Sequence, residues 1–196
     1  MIEEFDETIP EGMASPPATK KKINPLLEWV IVVLVAITSA LLVRAYVVQQ
    51  FAVEGESMVN TLQNGDRVLV NRLSYRLHDP RRGDVVVLKR FDSTSTERDL
   101  IKRVIGLPGE TVRITSCTVF IDDKPITEPY LDPAVQARDG CGGDGAPVVV
   151  PADSVYVLGD HRGKSSDSRV FGPVADDLLI GRAFVIIWPA GDWAWL

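Results

Sequence analysis

Histidine is scarce in this chain: His78 and His161 are the two present in 196 residues. Cysteine is equally scarce, with Cys117 and Cys141 alone. These four could supply a Cys2His2 set, but their spacings fit no zinc pattern, so no metal site and no cofactor are expected. Concentrated positive charge is also missing. The formal net charge is −6, and Lys and Arg gather on no helical face. Phosphate binding needs such gathering, so nucleic acid is not expected as a partner. There is no G-x-S-x-G elbow and no strand–helix alternation, which disfavours a serine–histidine–aspartate hydrolase built from Ser57, His161 and Asp167. Apart from "VADDLLIGR", no amphipathic helical pattern approaches ten residues in the region beyond residue 50.

What is present begins with a run lacking charge, "WVIVVLVAITSALLV", Trp29 to Val43. With its flanks it spans residues 25–48, long enough for a hydrocarbon core of roughly 30 Å. Arg44, near its end, can snorkel to the interface. The run is too long, and follows too long a leader, for a cleavable signal peptide. It has no polar stripe, which a helix on the surface of a soluble core would need. Residues 25–48 are therefore read as a transmembrane anchor and residues 1–24 as a disordered tail. Lys20, Lys21 and Lys22 precede the anchor, which puts the tail in the cytoplasm and residues 49–196 outside. The expected location is the cytoplasmic membrane, crossed once.

In the exported part, short Val- and Ile-rich runs ("DRVLVNR", "DVVVLKR", "LIKRVI", "TVRIT", "CTVFID", "PVVVP", "SVYVLGD", "RAFVIIW") alternate with turn signals such as "QNGD" and "LPGE". The fold class is mostly β: several small antiparallel sheets, partly closed like a barrel. "RGD" at 82–84 reads as the turn before a strand. Residues 116–150 read as an inserted subdomain or loop, rich in Gly and Pro from Thr127 to Pro147. Outside the cytoplasm Cys117 and Cys141 can pair, closing a loop of about 25 residues for roughly 3 kcal/mol.

Three stretches carry chemistry. "VEGESM" places Ser57 on a small-residue turn with no histidine nearby to take its proton. "IKRVIGLPGE" sets Lys102 beside Arg103 in a strand, so the two leave opposite faces and one must face inward. A buried lysine loses the solvation of its charged form, and the neutral amine can accept a hydroxyl proton. "GDHRGKSSDSRVFGP" crowds hydroxyls, carboxylates and arginines between two apolar strands. Read alone, each stretch also fits a solvated turn, an exposed edge lysine and a solvated loop.

"SMVNTLQNGDRVLV", "RRGDVVVL", "IKRVIGLPGE" and "GDHRGKSSDSRVFGPV", in this order behind a membrane anchor, resemble the ordered boxes of the bacterial type I signal (leader) peptidases. The resemblance runs from about residue 25 to about residue 188. It implies Ser57 as nucleophile, Lys102 as general base, Ser165 as the serine that orients the lysine amine, an Asp167–Arg169 ion pair and a supporting Asp160. It also implies an oxyanion site at the Ser57 backbone, with help from Gly55, and a substrate contact at Met58. Glu54 and Gly55 stand where the family often has Pro-Ser, Asn60 where it has Pro, His161 where it has Asn, and Glu110 where it has Asp. The implied activity is removal of signal peptides from exported preproteins after small residues, in the bilayer and near the export translocon. Ser57 lies nine residues beyond Val48, at most about 30 Å of extended chain, and the Trp-rich end "WPAGDWAWL" suits an interface. A pilin-processing or conjugation-type relative, or a tethered β-domain without chemistry, are the alternatives.

Overall fold

The computed structural model describes residues 24–91 and 97–196. The expected tail, 1–24, lies outside them except for Asn24. Helix α1, Pro25–Tyr46, has a mean hydropathy of 2.6 over Pro25–Arg44, and it is long and apolar enough to cross a membrane. It stops two residues short of the expected anchor end, because Val48 already belongs to a strand.

From there the chain is mostly β, in the chain order β1 (Val48–Ala52), β2 (Arg67–Asn71), α2 (Ser74–Leu77), β3 (Val85–Phe91), β4 (Glu97–Gly106), β5 (Thr111–Thr115), β6 (Thr118–Ile121), β7 (Lys124–Pro125), α3 (Pro133–Asp139), β8 (Gly145–Val149), β9 (Ser154–Leu158), α4 (Ser168–Phe171), β10 (Val174–Ala175), β11 (Leu179–Trp188) and β12 (Ala194–Trp195). The larger sheet runs β1-β2-β11-β3-β4-β9-β10, with β12 on β11; the smaller runs β7-β6-β5-β8. All pairings are antiparallel. Among the described residues neither sheet closes into a full barrel: the larger sheet ends in the short strands β1 and β10, which do not pair with each other. The segment expected as an insertion, 116–150, shares the smaller sheet with β5, so that unit begins earlier, at Thr111.

"VADDLLIGR" is not a helix. It holds β10, a 3-10 turn over Asp176–Leu178 and the start of β11. Gly181 explains the outcome: β11 passes so close to β2 that a Cβ here would collide with the Asn71 carbonyl.

Alternation along β3 buries both of its faces. Val85 and Val87 join one core, with Val53, Met58, Leu62, Val68 and Val70; Val86 and Leu88 join another, with Val104, Val155 and Val157. A third core, around Ile105, Val112, Val119 and Leu158, joins the two sheets. Over Val85–Leu88 both faces of β3 are covered, while Lys89 and Arg90 reach water, and the buried half sets the conditions at β4.

Candidate active site

Ser57 sits on the turn between β1 and β2. Val53 N–H donates to Asp66 O at 2.8 Å and Gly65 N–H to Val53 O at 2.9 Å, so the ladder closes beneath the turn. Gly55, at φ 89°, reverses the chain where a side chain would strain it. The Asn64 side chain then holds the turn by accepting the Gly55 N–H at 2.9 Å. Met58 drops into the core, 1 % exposed, and pins Ser57 at its rim.

Lys102 lies opposite Val86, and Arg103 opposite Val85, in the β3–β4 register, so the two cations leave opposite faces. Both faces are covered, and both side chains are buried rather than the expected one. Arg103 finds a carboxylate: Nε donates to Asp160 Oδ1 at 2.9 Å and a terminal nitrogen to Oδ2 at 2.7 Å. Lys102 has no ion-pair partner among the described residues. Its Nζ lies 2.7 Å from Ser57 Oγ and 2.8 Å from Ile101 O. Burial lowers its pKa to about 8, against the weaker opposing pull of Asp167 and Asp160. A neutral amine fits these contacts, with its lone pair accepting the Ser57 hydroxyl and one N–H donating to Ile101 O. Such an amine can take a proton from the hydroxyl.

The third wall is the segment 159–169. Asp160, fully buried, also accepts the Thr61 hydroxyl at 2.5 Å. Asp167 is buried too. Burial works against its charge, but the Arg169 guanidinium, at 2.8 and 2.7 Å, and the Gly159 N–H, at 3.0 Å, hold its pKa below the usual range. Arg169 reaches on to Cys141 O at 2.7 Å and Arg162 O at 2.7 Å. Cys117 and Cys141 are joined by a disulfide, with Cα atoms 5.3 Å apart. Gly159 must lack a side chain, since a Cβ there would collide with Ser165 Oγ and Ser57 O.

A cleft of about 510 Å³ opens beside Ser57 and Lys102, between the end of β1 with the turn that follows it (Ala52 to Glu54) and the first half of β4 (98–101). β9 joins β4 only from Arg103 onward, so Asp99–Ile101 have no second strand among the described residues. Among the described residues, β1 pairs with β2 alone.

Several expectations need correction. Ser165 was expected to orient the Lys102 amine, but among the described residues Lys102 Nζ contacts Ser57 Oγ and Ile101 O instead. The Gly55 N–H is spent on Asn64 and is not free for an oxyanion. Met58 faces the core and does not line the cleft, because its apolar side chain follows the turn inward. The serine–histidine–aspartate set that the sequence disfavoured does not form among the described residues: the His161 ring meets Glu56 O and Asp139, not the Ser57 hydroxyl, and Asp167 is engaged with Arg169. Sequence reasoning missed Arg103, Thr61 and Asn64. The one signal for Arg103 was its place next to a lysine in a strand buried on both faces.

The model of the signal peptidase, peptidase S26 family matches residues 26–188. The chain belongs to this family. Among its relatives, a signal peptidase I of Leptolyngbya laminosa is 37 % identical over 196 residues, covering 96 % of this chain and 94 % of the relative. The signal peptidase I T of Bacillus subtilis is 36 % identical, covering 88 % and 91 %. A crystal structure of a signal peptidase I from Enterococcus faecalis aligns at a TM-score of 0.46 and 31 % identity, covering 54 % of this chain and 97 % of that one.

Proposed function

We propose that this family member is a membrane-bound serine endopeptidase that removes signal peptides from exported preproteins. The observation that carries the reading is the contact of Ser57 Oγ with an unpaired, buried Lys102 amine. Ser57 attacks the scissile carbonyl while Lys102 takes the hydroxyl proton. Lys102 then passes that proton to the leaving amine, and water hydrolyses the acyl-enzyme by the same route in reverse. The Ser57 N–H, without an acceptor among the described residues, faces the developing oxyanion. Asp160 with Arg103, and Asp167 with Arg169, hold the surrounding loops. The substrate lies extended in the cleft and pairs with the free edges of β1 and β4. Shallow walls at Ala52, Val53 and Ile101 admit small residues such as alanine. The α1 helix anchors the enzyme with its N-terminus in the cytoplasm and the peptidase domain outside, beside the translocon, where the apolar core of each signal already lies in the bilayer.

The test is incubation of the purified full chain with a signal-bearing preprotein, mapping the cut. Cleavage after a small residue is expected, with Ser57→Ala folded and inactive. Activity should fall about tenfold per pH unit below the Lys102 value of about 8. A profile flat down to about pH 5 rules out the lysine as base.

A further inference from the structure

His161 is buried and touches the nucleophile turn in two ways. Its backbone N–H donates to Ser57 O at 3.0 Å. Its ring Nδ1 lies 3.1 Å from Glu56 O, and Nε2 lies 2.9 Å from Asp139 Oδ2 on α3. The carbonyls of Glu56 and Ser57 belong to the two peptide planes that flank the Ser57 Cα. In a trans peptide the N–H points opposite to the C=O, and Trp188–Pro189 is the one cis bond among the described residues. Holding Glu56 O therefore aims the Ser57 N–H. The other bond to Glu56 O comes from Val59 N–H, at a longer 3.2 Å.

The ring's two neighbours are both pure acceptors, a carbonyl and a carboxylate. Arg138, at 2.8 Å, holds the Asp139 pKa down to about 2, with a smaller contribution from His161, so this carboxyl has no proton to offer. A neutral imidazole has one N–H and can satisfy one of the two; the imidazolium satisfies both. The charged groups packed around it are Asp139 and Arg138 on α3, Glu56 on the turn, and Lys164, which pairs with Glu56 at 3.1 Å. Asp160 and Arg162 send their charges elsewhere, to Arg103 and Glu128.

We propose that His161 is a positioning residue: its ring, set between Glu56 O and Asp139, fixes the peptide that points the Ser57 N–H at the oxyanion. The proposal rests on Ser57 being the nucleophile. It also ties α3, two residues before the Cys141 disulfide, to the reacting turn.

Because the chain has two histidines, labelling its histidine nitrogens with 15N in the full protein in micelles yields two ring spin systems, and His161→Asn assigns them. At the pH of full activity, a slowly exchanging Nδ1–H is expected for His161, with faster exchange after Asp139→Ala. An Nδ1 that carries no proton in the unsubstituted protein overturns the bridge to Glu56 O. In kinetics, His161→Leu should lower kcat by up to about 10²–10³, the cost of one oxyanion donor, and leave KM unchanged. His161→Asn, which keeps an N–H for Glu56 O, should recover at least about tenfold of that loss. Folded His161→Leu with full kcat overturns the proposal. If that variant does not fold, Asp139→Ala decides, and an unchanged kcat there overturns it equally. Retained activity in Ser57→Ala would instead overturn the nucleophile assignment, while the protection of the His161 Nδ1–H stands on its own.

Discussion

Two neighbouring cations on β4 meet burial in opposite ways. Arg103, on one face, is matched by a fully buried carboxylate and by the ring of Tyr130, 4.0 Å from the guanidinium carbon. Lys102, on the other face, is matched by a hydroxyl and a carbonyl. Both are out of water, yet their consequences diverge. Arginine cannot shed its proton, so its burial requires a counter-charge. Lysine can, so burial with no contacting carboxylate among the described residues favours the neutral amine that a base needs.

The contrast is most sharply broken by Lys102→Arg. The substituted group keeps its charge at any working pH, and cleavage should drop below detection, about 10³-fold or more, in a standard assay. Residual cleavage near the original rate would remove Lys102 from the chemistry. Next in size is Asp160→Ala, which strands Arg103. Denaturant titration of the full chain should record a loss of about 3–5 kcal/mol. Smaller, and of the opposite sign, is Lys102→Met. The fall of the amine from its ordinary 10.5 to about 8 means that, between those pH values, the unfolded chain holds a proton the folded one does not. Stability therefore rises with pH across that window, and below about pH 8 the protonated lysine is a constant penalty on the order of 3 kcal/mol. Lys102→Met should be inactive yet more stable by about that much at pH 7, the gain vanishing above about pH 10.5. Equal stability at pH 7 would mean that Lys102 is not desolvated.

Much of this was legible from the residues alone. The period-two runs located the strands, and the uncharged stretch located α1. The Asp167–Arg169 pair in "SDSR" came from the resemblance to the family, since composition read that stretch equally as a solvated loop. Adjacency in a strand told that Lys102 and Arg103 part company, since side-chain direction is a local property of the backbone. What fills each face is not local. Asp160 reaches Arg103 across 57 positions, and Asp139 reaches His161 across 22, with no periodicity linking either pair. Asn64 taking the Gly55 N–H is likewise a matter of how one turn folds back, which composition does not record. Met58 misled because a residue beside a reactive serine can face either way, and here the apolar core claims it.

Along Asp99–Ile101, β4 keeps a rim beside the cleft with no second strand among the described residues, although the Ile101 carbonyl already accepts from Lys102 Nζ. On the proposed reading such a rim grips any stretched segment and tells none from another, because amides and carbonyls are the same in every polypeptide. Whatever selectivity this protein exerts has to come from how deep and how narrow the groove is under each side chain. Remodelling those walls would change which chains are cut while leaving the strength of the main-chain grip as it was.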